Sequence, residues 1–91
     1  MVGMKADIKK QVHNRLKRIE GQVRGLQKMV ESDTYCINVI TQTSAIKKAL
    51  AGVEDVLLES HLSSCVIDQV KNGKQDKATK EILKVYSLKR N

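Results

Sequence analysis

The sequence predicts an all-α chain of three helices, the central one long, that associates with further copies of itself. Three observations carry this prediction. Apolar residues recur at helical spacing, beginning with Val12, Leu16, Ile19, Val23, Leu26 and Val30, which step by 4, 3, 4, 3 and 4. No proline interrupts the 91 residues. With no Trp, no Phe and two Tyr, the apolar volume is aliphatic and modest, and a chain this short often needs a staple or a partner to complete its core. The whole reads as one domain over residues 1–91, with flexible ends at 1–6 and 89–91.

The first helix is expected from Asp7 to Val30, where the apolar steps form an a/d seam. "ESDTY" breaks the pattern, and Ser32 or Asp33 is a competent N-cap for the next helix. From Thr34 the chain reads as helix for roughly thirty-five residues, apolar on more than one side. Val39, Ile46, Val53 and Leu57 form one line, and Ile40, Leu50 and Leu58 another. A helix apolar on two sides is normally covered from two directions. The first helix folded back as an antiparallel hairpin is one cover; a second copy of the chain is the other. "KNGKQD", with Gly73, is the next break, and Ala78, Ile82 and Val85 place a third helix from about Asp76 to Leu88.

The net charge of +7 is unevenly spread. Residues 1–30 hold eight Lys/Arg against two acids, residues 31–70 two against six, and residues 71–91 seven against two. Two basic ends and an acidic middle suit a polyanion, and nucleic acid fits better than a membrane because no segment joins the basic residues to a large apolar face. No apolar run approaches the ~20 residues of a membrane span, and no basic-then-apolar signal segment opens the chain. Cytoplasmic residence follows as the expectation, with Cys36 and Cys65 as thiols or ligands. A glycine-rich phosphate loop and a Ser/His/Asp set are both missing, so an enzyme is not expected.

The chemistry-bearing stretch is "ESHLSSC". On an α-helix, positions i and i+4 share a face, so His61 and Cys65 can share a ligand. Cys36 lies 25 positions before His61 and 29 before Cys65. On a continuous α-helix all three then fall on one stripe within about 20°, but at opposite ends of a rod ~40 Å long. One helix cannot bring them together. Two antiparallel copies about a twofold axis would set Cys36 of one chain against His61 and Cys65 of the other, twice. The same register faces Lys47 with Glu54 of the second copy and puts Gly52 beside the axis. Two thiolates and an imidazole lean towards Cu(I), since structural zinc takes four ligands and nickel or cobalt prefer more nitrogen and oxygen. Spacing alone leaves the metal unnamed, and it leaves open that the pair is simply packed.

"RLKRIEGQVRGLQKMVESDTYC", followed by "VITQTSAIKKAL" and "LLESHLSSC", resembles the CsoR/RcnR family of bacterial metal- and stress-responsive repressors, most closely its copper-sensing branch. The likeness covers roughly residues 8 to 88. It implies antiparallel hairpins that dimerise through the long helix and pair again into a flat homotetramer, a dimer of dimers, without a helix-turn-helix. It implies a trigonal Cu(I) site between subunits, carried by Cys36 of one chain and His61 and Cys65 of the other. Tyr35 and Glu81 stand where the copper branch supports the histidine, and Glu81 accepting from the free imidazole N–H would fix the tautomer of His61.

The resemblance also implies operator double-stranded DNA as partner, bound by basic residues of the first two helices. Arg15, Lys17 and Arg18 match its "NRLKR" motif and are expected on phosphates, with Lys9 and Lys10 extending the patch. Relatives that use an arginine near the position of Gly52 have no counterpart here; Lys48 is expected to take part instead. Lys47 is divided between DNA and Glu54, and His13 reads as a surface residue. Apo protein would bind the operator and Cu(I) would release it. Nickel/cobalt sensors add an N-terminal histidine that residues 1–12 lack, and formaldehyde sensors have an N-terminal proline and no second cysteine. Persulfide sensors keep both cysteines without the histidine, so His61 separates that alternative from a copper sensor. A non-specific architectural DNA binder is the competitor from another class.

Overall fold

A computed structural model of the chain describes residues 5–90, and the side chain of Arg90 lies outside that description. Its helices are α1 (Ala6–Glu31), α2 (Cys36–Ser60), α3 (Val66–Lys71) and α4 (Gln75–Arg90), with a single π-helical turn, His61–Cys65, between α2 and α3. Helical residues therefore run in three stretches, as expected, and the long central one is built of α2, the π turn and α3. The flexible ends expected at 1–6 and 89–91 fall partly outside the described residues; Ala6 opens α1, and Lys89 and Arg90 are helical. No described helix is long and apolar enough to cross a membrane.

Both breaks are built alike. The N–H of Asp33 donates to the Val30 carbonyl at 3.2 Å and that of Thr34 to Met29 at 3.0 Å. Gly73 repeats this to Val70 at 3.1 Å, and Lys74 to Gln69 at 2.7 Å. Each is a Schellman stop, which needs one residue in the left-handed region. Gly73 supplies it at φ 74° without strain, and Asp33 at φ 55° as one of the few other residue types that tolerate it. Ser32 and Asp33 thus close α1 rather than capping α2. The first turn of α2 hangs instead on the Tyr35 carbonyl, which accepts from Asn38 at 2.9 Å and Val39 at 3.3 Å. An Asp is suited to either role, and the short link leaves room for only one.

The chain divides into two compact units, the first ending at Leu58 and the second beginning at Glu59. In the first, Val12 and Ile19 of α1 meet Ile46 and Val53 of α2, with Ile8, Leu26, Ala49, Val56 and Leu57 packed around them. The link of four residues and the approach of Arg15 to Gly52 make the pair an antiparallel hairpin. Along α1 the apolar seam splits by sevens: Val12, Ile19 and Leu26 turn into the hairpin, while Leu16, Val23 and Val30 stay exposed. Along α2, Ile46 and Val53 are buried whereas Ile40 and Leu50 are 62% and 43% exposed. In the second unit α4 packs against α3, and Ala78, 2% exposed, is its most buried side chain.

Candidate functional site

Cys36 is the first residue of α2 and is exposed; Tyr35, just before it, is 69% exposed and serves the helix through its carbonyl. His61 and Cys65 occupy the two ends of the π turn and are both half-buried. Here the structure departs from the α-helical spacing on which the single stripe was drawn. The Val66 N–H reaches the His61 carbonyl, a step of five residues instead of four, so the turn closes one residue late. A serine cluster sits at this turn. Ser64 Oγ donates to the Ser60 carbonyl at 2.8 Å and Ser63 Oγ donates to the same oxygen at 3.2 Å. Hydroxyls bonded back onto a carbonyl compete with the helical ladder and bend it.

Glu81 lies half-buried on α4, where its Oε1 accepts from Gln69 Nε2 of α3 at 3.0 Å. The expected partner was His61, and among the described residues no hydrogen bond joins the two. Gln69 Oε1 is buried and accepts no hydrogen bond among the described residues. Neither Gln69 nor the role of Ser60, Ser63 and Ser64 was anticipated. A signal for Gln69 existed: a hairpin turning at Gly73 brings residues whose numbers sum to about 146 opposite each other, and Glu81 lies one helical turn beyond the position that this pairs with Gln69. Among the described residues no three His, Cys, Asp or Glu side chains gather closely enough to hold a metal ion.

The basic residues expected on DNA sit in the hairpin unit. Lys9, Lys10, Lys17 and Arg18 on α1 and Lys48 on α2 are exposed, and Arg15 is half-buried. Arg15 lies across α2 so closely that a Cβ on Gly52 would stand 3.4 Å from its guanidinium. That is ordinary van der Waals distance, so Arg15 of the same chain lies against Gly52 without requiring a glycine there. Arg15, Arg18 and Gln22 line a shallow groove together with Ile19 and Ala49. Lys47, Glu54 and His13 are exposed.

Comparison with known proteins gives a consistent set of likenesses. The family profile for metal-sensitive transcriptional repressors matches residues 8–87. The copper-sensing transcriptional repressor CsoR of Bacillus subtilis is 50% identical over 78 residues, which cover 86% of this chain and 77% of that one. The copper-sensing transcriptional repressor RicR of Mycobacterium tuberculosis is 54% identical over 59 residues, 65% of this chain and 62% of the relative's length. Among solved structures, the copper-sensing repressor CsoR with Cu(I) from Geobacillus thermodenitrificans superposes with a TM-score of 0.91 at 40% identity, covering all of this chain and 95% of that one.

Proposed function

This chain belongs to the metal-sensitive transcriptional repressor family, and on that premise we propose that it is a cytoplasmic Cu(I)-responsive repressor acting as a single domain. The apo protein binds operator DNA, and Cu(I) bound at a site shared between two copies releases it. The observation that carries the reading is the donor set. Cys36, His61 and Cys65 offer two thiolates and one imidazole, the soft, low-coordinate set that suits Cu(I), and no three such ligands meet within one chain among the described residues. A site completed by a second copy satisfies both facts. Bound there, Cu(I) ties the two subunits through Cys36 of one and His61 and Cys65 of the other.

The residues then divide the work. The π turn presents His61 and Cys65 together from one short element, and Cys36, exposed at the head of α2, reaches across. Tyr35 flanks Cys36, and Glu81 uses its second oxygen to accept from the imidazole N–H while Gln69 holds the first. Arg15, Arg18, Lys17, Lys9, Lys10 and Lys48 contact phosphates, which gives affinity and orientation rather than sequence. Release follows if the metal-bound dimer, assembling as a dimer of dimers, holds these cations where they no longer fit the duplex, and the coupling is reciprocal, so operator DNA weakens copper binding by the same factor.

The test is an anaerobic titration of Cu(I), then of a persulfide donor, into the complex of protein with its operator, repeated with His61→Ala. Release by copper that is lost without His61 supports the proposal. Stoichiometric copper binding that leaves DNA affinity unchanged refutes the sensing step, and release by persulfide that ignores His61 points to a sulfur sensor.

A further inference from the structure

The charge in the last helix is not used by any of these roles. Lys77, Lys80 and Lys84 follow each other at steps of three and four on α4, which sets them within about 60° of one another along ~10 Å of helix. All three are exposed. The packed side of the same helix is Ala78, buried, with Ile82 and Val85 half-buried, so the lysine row is held outward by packing and is not free to turn in.

The row also forms no ion pair among the described residues. Asp76 and Glu81 stand four residues from Lys80 and Lys77, the spacing at which acids and lysines pair on a helix. Neither pair forms among the described residues, and Glu81 is engaged by Gln69 on α3 instead. Like-charge neighbours at i,i+3 and i,i+4 destabilise a helix. A surface built only for solubility intersperses both signs. Three lysines against two acids that do not pair with them leave donors open to a polyanion laid along the row, and duplex DNA presents one negative charge per ~1.7 Å of axis.

We propose that Lys77, Lys80 and Lys84 form a second DNA-contacting surface, which grips the phosphate backbone in addition to the basic residues of α1 and α2. The proposal rests on the repressor reading above. Its contribution is independent of base sequence, because phosphate contacts carry affinity and register but no code. The acidic middle of another copy of this chain, residues 31–70 with two Lys/Arg against six acids, is the competing occupant.

The test uses the full chain with Lys77→Gln, Lys80→Gln and Lys84→Gln combined, and Lys80→Gln alone as a milder variant should the triple fail to fold. Affinity for the operator and for a random duplex of equal length is measured from about 50 to 200 mM salt, alongside Cu(I) stoichiometry and sedimentation. For each copy of the row on DNA the triple variant is expected to flatten the log–log salt slope by about 2.7, and so to lose about 40-fold less affinity across that range than the parent. The single variant flattens the slope by about 0.9. Operator and random duplex are weakened alike, and copper stoichiometry is unchanged. An unchanged slope in both variants, with Arg18→Gln flattening it, overturns the proposal and leaves the repressor reading standing. An unchanged slope with a change in assembly mass assigns the row to a second copy and equally overturns it. A parent chain that binds no duplex overturns both.

Discussion

The pairing of Gln69 with Glu81 allows a prediction whose sign depends on one atom. Gln69 Nε2 donates to Glu81 Oε1 at 3.0 Å, while Gln69 Oε1 is buried without a partner among the described residues. Glu81→Leu keeps the amide and strips it of its acceptor. A hydrogen bond to a charged group contributes about 1.5–3 kcal/mol, and that is the expected loss. Gln69→Leu forfeits the same bond but also removes the orphaned oxygen, whose burial costs about 1–3 kcal/mol. The two effects oppose, so this variant is expected within about 1 kcal/mol of the parent. With both changes the polar groups are gone together, and replacing both partners by apolar groups is close to neutral. The cycle then shows a coupling of at least about 1 kcal/mol. Urea unfolding of the full chain, followed by far-UV circular dichroism at one fixed protein concentration, reads it, since the stability of an oligomer depends on concentration. Single costs that simply add refute the pairing. A Gln69→Leu penalty as large as that of Glu81→Leu refutes the unsatisfied oxygen.

Other expectations follow from the same geometry. A Cys36→Ala chain and a Cys65→Ala chain, each expected to bind Cu(I) poorly alone, should recover one tight site in every mixed dimer when combined; a mixture no better than its components would place the three ligands within one chain. Gly73→Ala puts a Cβ into the left-handed region at φ 74°, and should lower unfolding stability by about 1 kcal/mol, while an unaffected midpoint would mean the Schellman stop after α3 can relax. Ser63→Ala with Ser64→Ala deletes both hydroxyl bonds to the Ser60 carbonyl. At about 0.5–1.5 kcal/mol each, this should move the turn towards α-helical register and weaken Cu(I) binding about tenfold, as read by competition with a chelator. Unchanged affinity would make the π turn incidental to ligation.

The helices were legible because burial against a neighbour leaves a period in the sequence. Val12, Ile19 and Leu26 mark the seam of α1, Ile46 and Val53 mark its partner, and Gly73 announces a stop that only a left-handed residue can make. Legibility failed where one residue type serves two purposes. Asp33 is equally a helix start and a tolerated left-handed residue, and the hydrogen bonds of Asp33 and Thr34 back to Val30 and Met29 decide for the latter. The π turn failed for a different reason: an i→i+5 step over five residues is too short to imprint a period of its own. Its trace lay in polar composition, in Ser60, Ser63 and Ser64 around the ligand pair, which apolar periodicity does not register. The partner Glu81 takes in the single chain was not legible, because Gln69 is defined by the tertiary pairing of α3 with α4.

The division of the apolar lines bears directly on why a sensing site would be split between chains. Leu16 and Val23 on α1, and Ile40 and Leu50 on α2, remain exposed although the hairpin has already formed. None of the described side chains is completely buried, so the hairpin has gained only part of what its aliphatic content can provide. At roughly 25 cal/mol per Å2, covering those four residues with a second copy supplies several kcal/mol that the single chain lacks. In the proposed dimer this burial offsets part of the cost of association before any ligand arrives, and two ligand half-sets on opposing copies would be held near each other without further loss of freedom. A metal that needs both halves can bias the arrangement of the dimer, not merely its existence. That is the condition for a switch, because a ligand alters an equilibrium only by its difference in affinity for the two states. A site confined to one chain would bind copper but would lack this leverage over the spacing of basic residues on separate subunits, and it is that spacing which decides how many phosphates the protein can hold at once.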